Sequence, residues 1–284
     1  MTLSSVKHGL CHIYYQIRDF IFIIFQHHIF FHSSSVSYYA ALSIAPFLLI
    51  LLQIAALLGQ ELQLEVINQT YFVLGSEVGK IAEMIFSNAN KGINLASISG
   101  VIGLIILLFT ASVVFMQIRF SLDSIYGHYD PERTRSIWEI VKERIFSMGV
   151  VILTGAMFFI SIFASYIVKY FVGTDMTEYT MGKVLSYLMS FLINLMMFSF
   201  LYYFAPSITP KLKSAIKIAV FTSVTFIFGK LLIGLYFKTV AVSSVYGATG
   251  TLLVFLIWAY YSAFMLFLSV EGFLFLNPQE RIFK

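Results

Sequence analysis

Six long apolar stretches, separated by shorter polar connections, follow one another along the chain. From Val36 to Leu58 no residue is charged. A helix of about 20 residues, rising about 1.5 Å per residue, spans the hydrocarbon core of a bilayer, which is about 30 Å thick. The pattern therefore predicts an all-α integral membrane protein, with a single membrane domain over residues 1–284 and six transmembrane helices. The predicted spans are residues 36–58, 95–118, 145–168, 184–204, 218–237 and 250–276.

Two segments outside these spans have an amphipathic pattern. In residues 1–32 apolar side chains recur at steps of three and four, which predicts an amphipathic N-terminal helix. Its richest apolar run, residues 20–31, is too short to cross a bilayer. We therefore expect this helix along the cytoplasmic interface or beneath the bundle. Residues 59–94 are polar but keep a helical face of apolar positions, which predicts a short helical extracytoplasmic segment between spans one and two.

Small side chains recur every fourth residue through the start of the first span, at Ser33, Ser37, Ala41 and Ala45. Small residues at this spacing let a neighbouring helix approach closely, so they predict a packing face. Pro46, the next residue, has no backbone N–H to donate, which predicts a kink near the middle of the span. A hinge or a ligand-facing opening is the alternative interpretation of this proline.

The amino-acid composition is that of a chain surrounded by lipid rather than by water. Hydrophobic residues make up 59% of it and charged residues only 11%, whereas about 25% is usual for a soluble domain. The net charge of +4 is too small and too scattered to indicate a nucleic-acid partner. Cys11 is the single cysteine, which excludes an internal disulfide. His8, Cys11 and His12, and His28 with His32, have helical metal-ligand spacing without further ligands, so we interpret them as interfacial residues and predict no metal and no cofactor.

The distribution of Lys and Arg predicts the orientation of the chain. With six spans, 12 of the 18 Lys and Arg residues fall on the side that carries both termini. Cytoplasmic connections are enriched in these residues, so both termini are predicted to be cytoplasmic. The expected location is the bacterial inner (plasma) membrane, as a multi-pass protein.

Three polar residues fall inside the predicted spans: Gln53, Asn194 and Lys230. A charge near the middle of a bilayer costs about 2.5–3.5 kcal/mol on insertion scales, so Lys230 either reaches the interface, forms a structural hydrogen bond or faces a water-filled cavity. Gln53 lies at a similar predicted depth, and Asn194 is most simply an interhelical hydrogen-bonding residue. Gly247 and Gly250 at the mouth of the last span predict a turn, or alternatively an unwound entrance that binds an ion.

Four polar residues at the cytoplasmic ends of spans, Gln117, Arg119, Asp123 and Glu271, are predicted to form a polar layer. At span ends a solvated charge network is the simplest interpretation. Ion or proton handling is the alternative, because ionisable groups with perturbed surroundings collect at functional sites.

Several segments together resemble the YihY/BrkB family of bacterial inner-membrane proteins, which has also carried the label ribonuclease BN. They are residues 35–52 (SVSYYAALSIAPFLLILL), 120–126 (FSLDSIY), 201–206 (LYYFAP), 245–252 (VYGATGTL) and the Glu271 that ends 269–271. The resemblance covers nearly the whole chain. It implies six spans in the inner membrane, and it brings no catalytic residues.

The sequence differs from this family pattern after the second span. Relatives typically have Asn where this chain has Asp123, and the resemblance therefore implies an added charge pair with Arg119, four residues earlier.

The ribonuclease label finds little support in the residues. A metal-dependent nuclease needs converging carboxylates or histidines, and the candidate group is His128, Asp130, Glu132, Glu139 and Glu143. Basic residues alternate with these acids, which is typical of an exposed, charged helix.

We therefore predict a protein without an enzymatic site. The leading hypothesis is a transport or permeation role for a small solute, ion or lipid, based on the polar residues inside the bundle. The alternative is a structural or assembly protein of the cell envelope, and a membrane-tethered ribonuclease comes third. The expected partners are the lipid bilayer and a homo-oligomer or an envelope protein, with no nucleic acid.

Overall fold

The computed structural model describes residues 3–71, 76–89, 98–128, 136–172, 180–208, 210–239 and 242–281, and within these ranges all regular structure is helical. Long apolar runs form helices here because a helix satisfies every backbone hydrogen bond within one segment. The helices are α1 (Leu3–Gln26), α2 (Ile29–Leu58), α3 (Gln60–Gln69), α4 (Ser76–Ala89), α5 (Ile98–Ile125), α6 (Ile137–Val172), α7 (Thr180–Phe204), α8 (Leu212–Thr239) and α9 (Val242–Leu276), followed by a 3-10 turn (Pro278–Glu280).

Three of the described helices are long and apolar enough to cross a membrane. Their apolar windows are Leu108–Ile125 in α5, Leu212–Gly229 in α8 and Leu253–Leu276 in α9. A shorter apolar stretch, Phe191–Phe204, lies in α7. The fold is therefore that of an all-helical membrane protein.

The break between the first two helices differs from its predicted place. Helix α1 ends at Gln26 and α2 begins at Ile29, whereas the amphipathic helix was predicted to extend to residue 32. His28 adopts a left-handed conformation, with φ 50° and ψ 36°, which interrupts the helical hydrogen-bond pattern. Helix α2 then continues through the position of Pro46.

Several helices extend beyond the predicted spans. Helix α5 continues to Ile125, so Arg119 and Asp123 lie on a helix rather than after one. Helix α9 begins at Val242, and Gly247 and Gly250 are helical, so the turn or unwound entrance predicted there is wrong. Glycine lowers helix stability by only about 1 kcal/mol relative to alanine, which a long apolar helix tolerates.

Two cores hold the helices together, and α2 and α9 contribute to both. The first core joins the start of α2 to the ends of α5, α7 and α9 and the start of α8, with Tyr202 and Phe267 fully buried. The second joins the later part of α2 to α3, α4 and the middle of α9, with Leu48 and Phe255 fully buried. Helices α3 and α4 lie between α2 and α5 in the chain and pack against this second core.

The seam between α2 and α9 contains small side chains of the predicted packing face. Ser37 is buried, and its hydroxyl donates a hydrogen bond to the carbonyl oxygen of Leu256 at 2.8 Å. Ser33 is fully buried and Ala41 packs against the second core. The side chains of Ala45 and Pro46 lie outside the described residues.

Replacing Ser37 by Leu tests the importance of this seam. The larger side chain overpacks the contact and removes the hydrogen bond to Leu256, so we expect a loss of about 1–3 kcal/mol of stability. The matched control is Ser34→Leu on the same helix, because Ser34 is exposed. Thermal unfolding of the purified protein in detergent should show a clearly lower midpoint for Ser37→Leu alone. Equal midpoints for the two variants would contradict a tight seam at this position.

Candidate functional site

A fully buried carboxylate near the end of α9 joins three separate segments. One oxygen of Glu271 accepts a hydrogen bond from Nδ1 of His27 at 2.9 Å, and the other pairs with the guanidinium of Arg281. His27 comes from the break between α1 and α2. Arg281 follows the 3-10 turn, whose backbone hydrogen bond from Arg281 N–H to Pro278 O, at 3.1 Å, folds the chain back toward α9. We call Glu271, His27 and Arg281 the Glu271 clasp.

A second buried carboxylate lies at the end of α5. Asp123 accepts two hydrogen bonds from Ser207, one from its backbone N–H at 2.7 Å and one from its hydroxyl at 2.5 Å. Arg119 donates from Nε to the Ser207 hydroxyl oxygen at 3.1 Å. Ser207 follows Pro206 in the connection between α7 and α8, so Asp123 ties this connection to α5. We call Asp123, Arg119 and Ser207 the Asp123 cluster.

The four residues of the predicted polar layer fall into these two different places. Gln117, Arg119 and Asp123 line one cleft, whereas Glu271 belongs to the clasp. The cleft has a volume of about 230 Å³ and lies between α2, α5 and α6. Its lining residues are Tyr39, Val113, Met116, Gln117, Arg119, Phe120, Asp123, Glu143, Arg144 and Ser147.

Arg144 also lines the cleft, although it was not among the predicted site residues. Its Nη1 donates to the sulfur of Met116 at 2.6 Å, and its guanidinium carbon lies 3.7 Å from the ring centroid of Phe109. Burial lowers the pKa of Arg144 from its usual value, but an arginine remains charged at neutral pH. The signal in the sequence was a basic residue directly before the third apolar stretch.

The third polar feature is a set of contacts between α7 and α8. The Tyr202 hydroxyl lies 2.7 Å from Thr222 Oγ1 and donates to the carbonyl oxygen of Leu266 at 3.0 Å. One turn earlier in α7, the ring of Phe198 contacts that of Phe226, one turn later in α8, at 5.5 Å between centroids. Since these partners step by four residues in opposite directions, the helices are antiparallel in a defined register.

Tyr202 pairs with Thr222 and Phe198 with Phe226. One further turn in the same register brings Asn194 of α7 to the level of position 230 of α8. Asn194 is only 3% exposed, and its amide nitrogen has no hydrogen-bond partner among the described residues. Of the three predicted intramembrane polar residues, Asn194 is therefore seen to be buried. Lys230 and Gln53 lie within α8 and α2, but their side chains lie outside the described residues.

The predicted histidine and acidic clusters are only partly described. Among the described residues no three His, Cys, Asp or Glu side chains are placed to hold a metal ion. Asp130 and Glu132 lie outside these residues, as do the side chains of His8, Cys11 and His12. His32 packs against the rings of Phe120 and Phe267 at 5.9 and 6.2 Å, and burial lowers its pKa, with smaller contributions from His28 and His27.

A helical fold in which three of the described helices are long and apolar enough to cross a bilayer is that of a membrane protein. The family model described as Virulence factor BrkB matches residues 24–279. The chain therefore belongs to this family, which confirms the resemblance seen in its sequence segments. No curated protein and no solved structure gives a significant match.

Replacing Glu271 by Gln tests the clasp. The substitution keeps the side-chain volume but leaves the mostly buried Arg281 guanidinium without its counter-charge, and breaking a buried ion pair costs about 3–5 kcal/mol. The matched control is Glu280→Gln, because Glu280 pairs at 3.3 Å with Lys211, which is 79% exposed. Thermal unfolding in detergent should show a large loss for Glu271→Gln and a small one for the control. Similar losses would show that the clasp contributes no more than a surface pair.

Proposed function

We propose that this BrkB family member is a transport or permeation protein for a small solute, ion or lipid, with six spans in the bacterial inner membrane and both termini in the cytoplasm. Three helices qualify as spans by length and composition. Helices α2, α6 and α7, with 30, 36 and 25 residues, exceed the roughly 20 residues that a bilayer requires. The Lys and Arg distribution supports the orientation.

The observation that carries the transport proposal is the buried amide of Asn194. A buried donor without a partner costs about 1–3 kcal/mol, which an apolar residue at this position would avoid. Such a group is satisfied when water or a polar solute enters beside it. A polar group within the bundle that interacts with a passing solute is what a permeation route requires.

The register of α7 and α8 adds a second polar residue at this level. Position 230 is a lysine, so Asn194 and Lys230 mark one depth of the bundle. An amide nitrogen and an ammonium group are both hydrogen-bond donors. A solute bound at this level would therefore present acceptor oxygens to the bundle.

A structural or assembly role in the envelope is the second candidate, because other buried polar groups are already satisfied between helices. Tyr202 bonds to Thr222 and to Leu266, and Ser37 bonds to Leu256. Such hydrogen bonds contribute about 0.6 kcal/mol on average and hold helices together without a transport role. In either role we propose no enzymatic activity, and a homo-oligomer or an envelope protein as partner.

Water access at the level of Asn194 distinguishes the two candidates. In a Cys11→Ser background, single cysteines at Gln53, Asn194 and Lys230 are treated in intact cells with membrane-impermeant and permeant thiol reagents, which react with the thiolate. We expect rapid labelling at Asn194 and Lys230, because an aqueous route hydrates both. The matched control is a cysteine at Met196, which lies on α7 two residues from Asn194 and is 62% exposed on the outer surface of the helix bundle. It should be protected by lipid.

The same experiment can overturn the transport proposal. A cysteine at Ser87, an exposed residue of α4, reports whether the reagent reaches the protein. Protection at Gln53, Asn194 and Lys230 together with normal labelling at Ser87 would indicate a dry bundle and favour the structural role.

A further inference from the structure

The cleft between α2, α5 and α6 is lined by two arginine guanidinium groups whose N–H donors are only partly used. Arg119 and Arg144 both line it. Among the described residues, neither guanidinium forms a salt bridge with a carboxylate. Asp123 and Glu143 line the same cleft, so the feature that favours an anion is the unused N–H donors of the two guanidinium groups and not an excess of positive charge.

Both guanidinium groups keep hydrogen-bond donors for a ligand. Arg119 uses its Nε on Ser207 and lies 5.3 Å from the ring centroid of Phe146. Arg144 uses Nη1 on the Met116 sulfur and stacks on Phe109. A guanidinium has five N–H donors in a planar fork, and most of these donors have no acceptor among the described residues. The aromatic contacts fix the planes of the two groups, which favours bidentate binding of an oxyanion.

The acidic residues of the cleft use other partners and leave most of the guanidinium N–H donors open to a ligand. Asp123 already accepts two hydrogen bonds from Ser207, on the connection between α7 and α8. Glu143, the other carboxylate in the lining, also has an interaction partner. Arg119 and Arg144 therefore keep N–H donors that can form hydrogen bonds with a ligand.

The surface around the cleft points to a lipid as the source of the anion. Phe109, Ile145 and Phe146 are 49%, 64% and 44% exposed, and they provide apolar surface beside the two guanidinium groups. This combination matches a phospholipid, whose phosphate would bind the arginines while its acyl chains cover the exposed apolar side chains. A volume of about 230 Å³ admits a headgroup but not a large soluble ligand.

We propose that this cleft is a binding site for the phosphodiester headgroup of an anionic membrane phospholipid, held by Arg119 and Arg144. The site is separate from the level of Asn194, and the proposal does not depend on a transport role. A lipid bound here would join α5 to α6 at the end of the bundle that carries the Asp123 cluster.

Native mass spectrometry of the full-length protein in detergent, titrated with phosphatidylglycerol, tests the proposal. We expect the double variant Arg119→Gln/Arg144→Gln to bind phosphatidylglycerol at least about tenfold more weakly, because each charge-assisted contact is lost. The matched control is Arg18→Gln, since Arg18 is an exposed arginine paired with Asp19 at 2.8 Å outside the cleft. It should bind as the unmodified protein does. Unchanged affinity of the double variant would overturn the proposal.

Two further probes use the unmodified protein and do not depend on the folding of a variant. Diacylglycerol, which lacks the phosphate, should not compete with phosphatidylglycerol. Inorganic phosphate at the same concentration should not compete either, because it lacks the acyl chains. Competition by diacylglycerol would mean that only apolar surface binds, and competition by inorganic phosphate would mean a site for a soluble anion. Either result would contradict a lipid site.

Discussion

The hydroxyl group of Tyr202 is the contact on which the arrangement of the last three helices depends. It is fully buried and joins α7 to α8 through Thr222 and to α9 through the carbonyl oxygen of Leu266. In an apolar bundle the hydrophobic effect between helices is weak in lipid, so close packing and directional hydrogen bonds decide how helices align. This one contact sets the register that carries Phe198 onto Phe226, and therefore Asn194 to the level of position 230.

A second constraint is that a buried charge needs compensation within the protein. The Glu271 clasp and the Asp123 cluster meet it in different ways. Glu271 recruits a cation and a histidine from the two ends of the chain, which fixes the start of α2 and the C-terminal turn against α9. Asp123 recruits a serine from a connection and leaves its neighbour Arg119 facing a cleft. In the Glu271 clasp the carboxylate is paired with Arg281 within the protein. In the Asp123 cluster the guanidinium of Arg119 still faces the cleft and can bind a ligand.

Much of the fold, but less of the site, could be predicted from the sequence. Apolar runs longer than a bilayer predicted the helical class, because that signal is local and strong. The break at His28 adjoins His27, whose side chain contacts Glu271, 244 positions away, and periodicity contains no information on such a contact. Likewise, Asp123 and Glu271 were identified as polar span ends, but their partners Ser207 and Arg281 become neighbours only after the helices pack.

Cross-linking between α7 and α8 tests most directly whether Asn194 and position 230 form one polar level. In a Cys11→Ser background, a cysteine at Asn194 is combined with a cysteine at Lys230, Phe226 or Gly234 and treated with a short bifunctional thiol reagent. These partner positions are one helical turn, about 5.4 Å, apart along α8. We predict the highest yield for the Asn194–Lys230 pair. A higher yield for Phe226 or Gly234 would contradict the register, and with it the polar level inside the bundle.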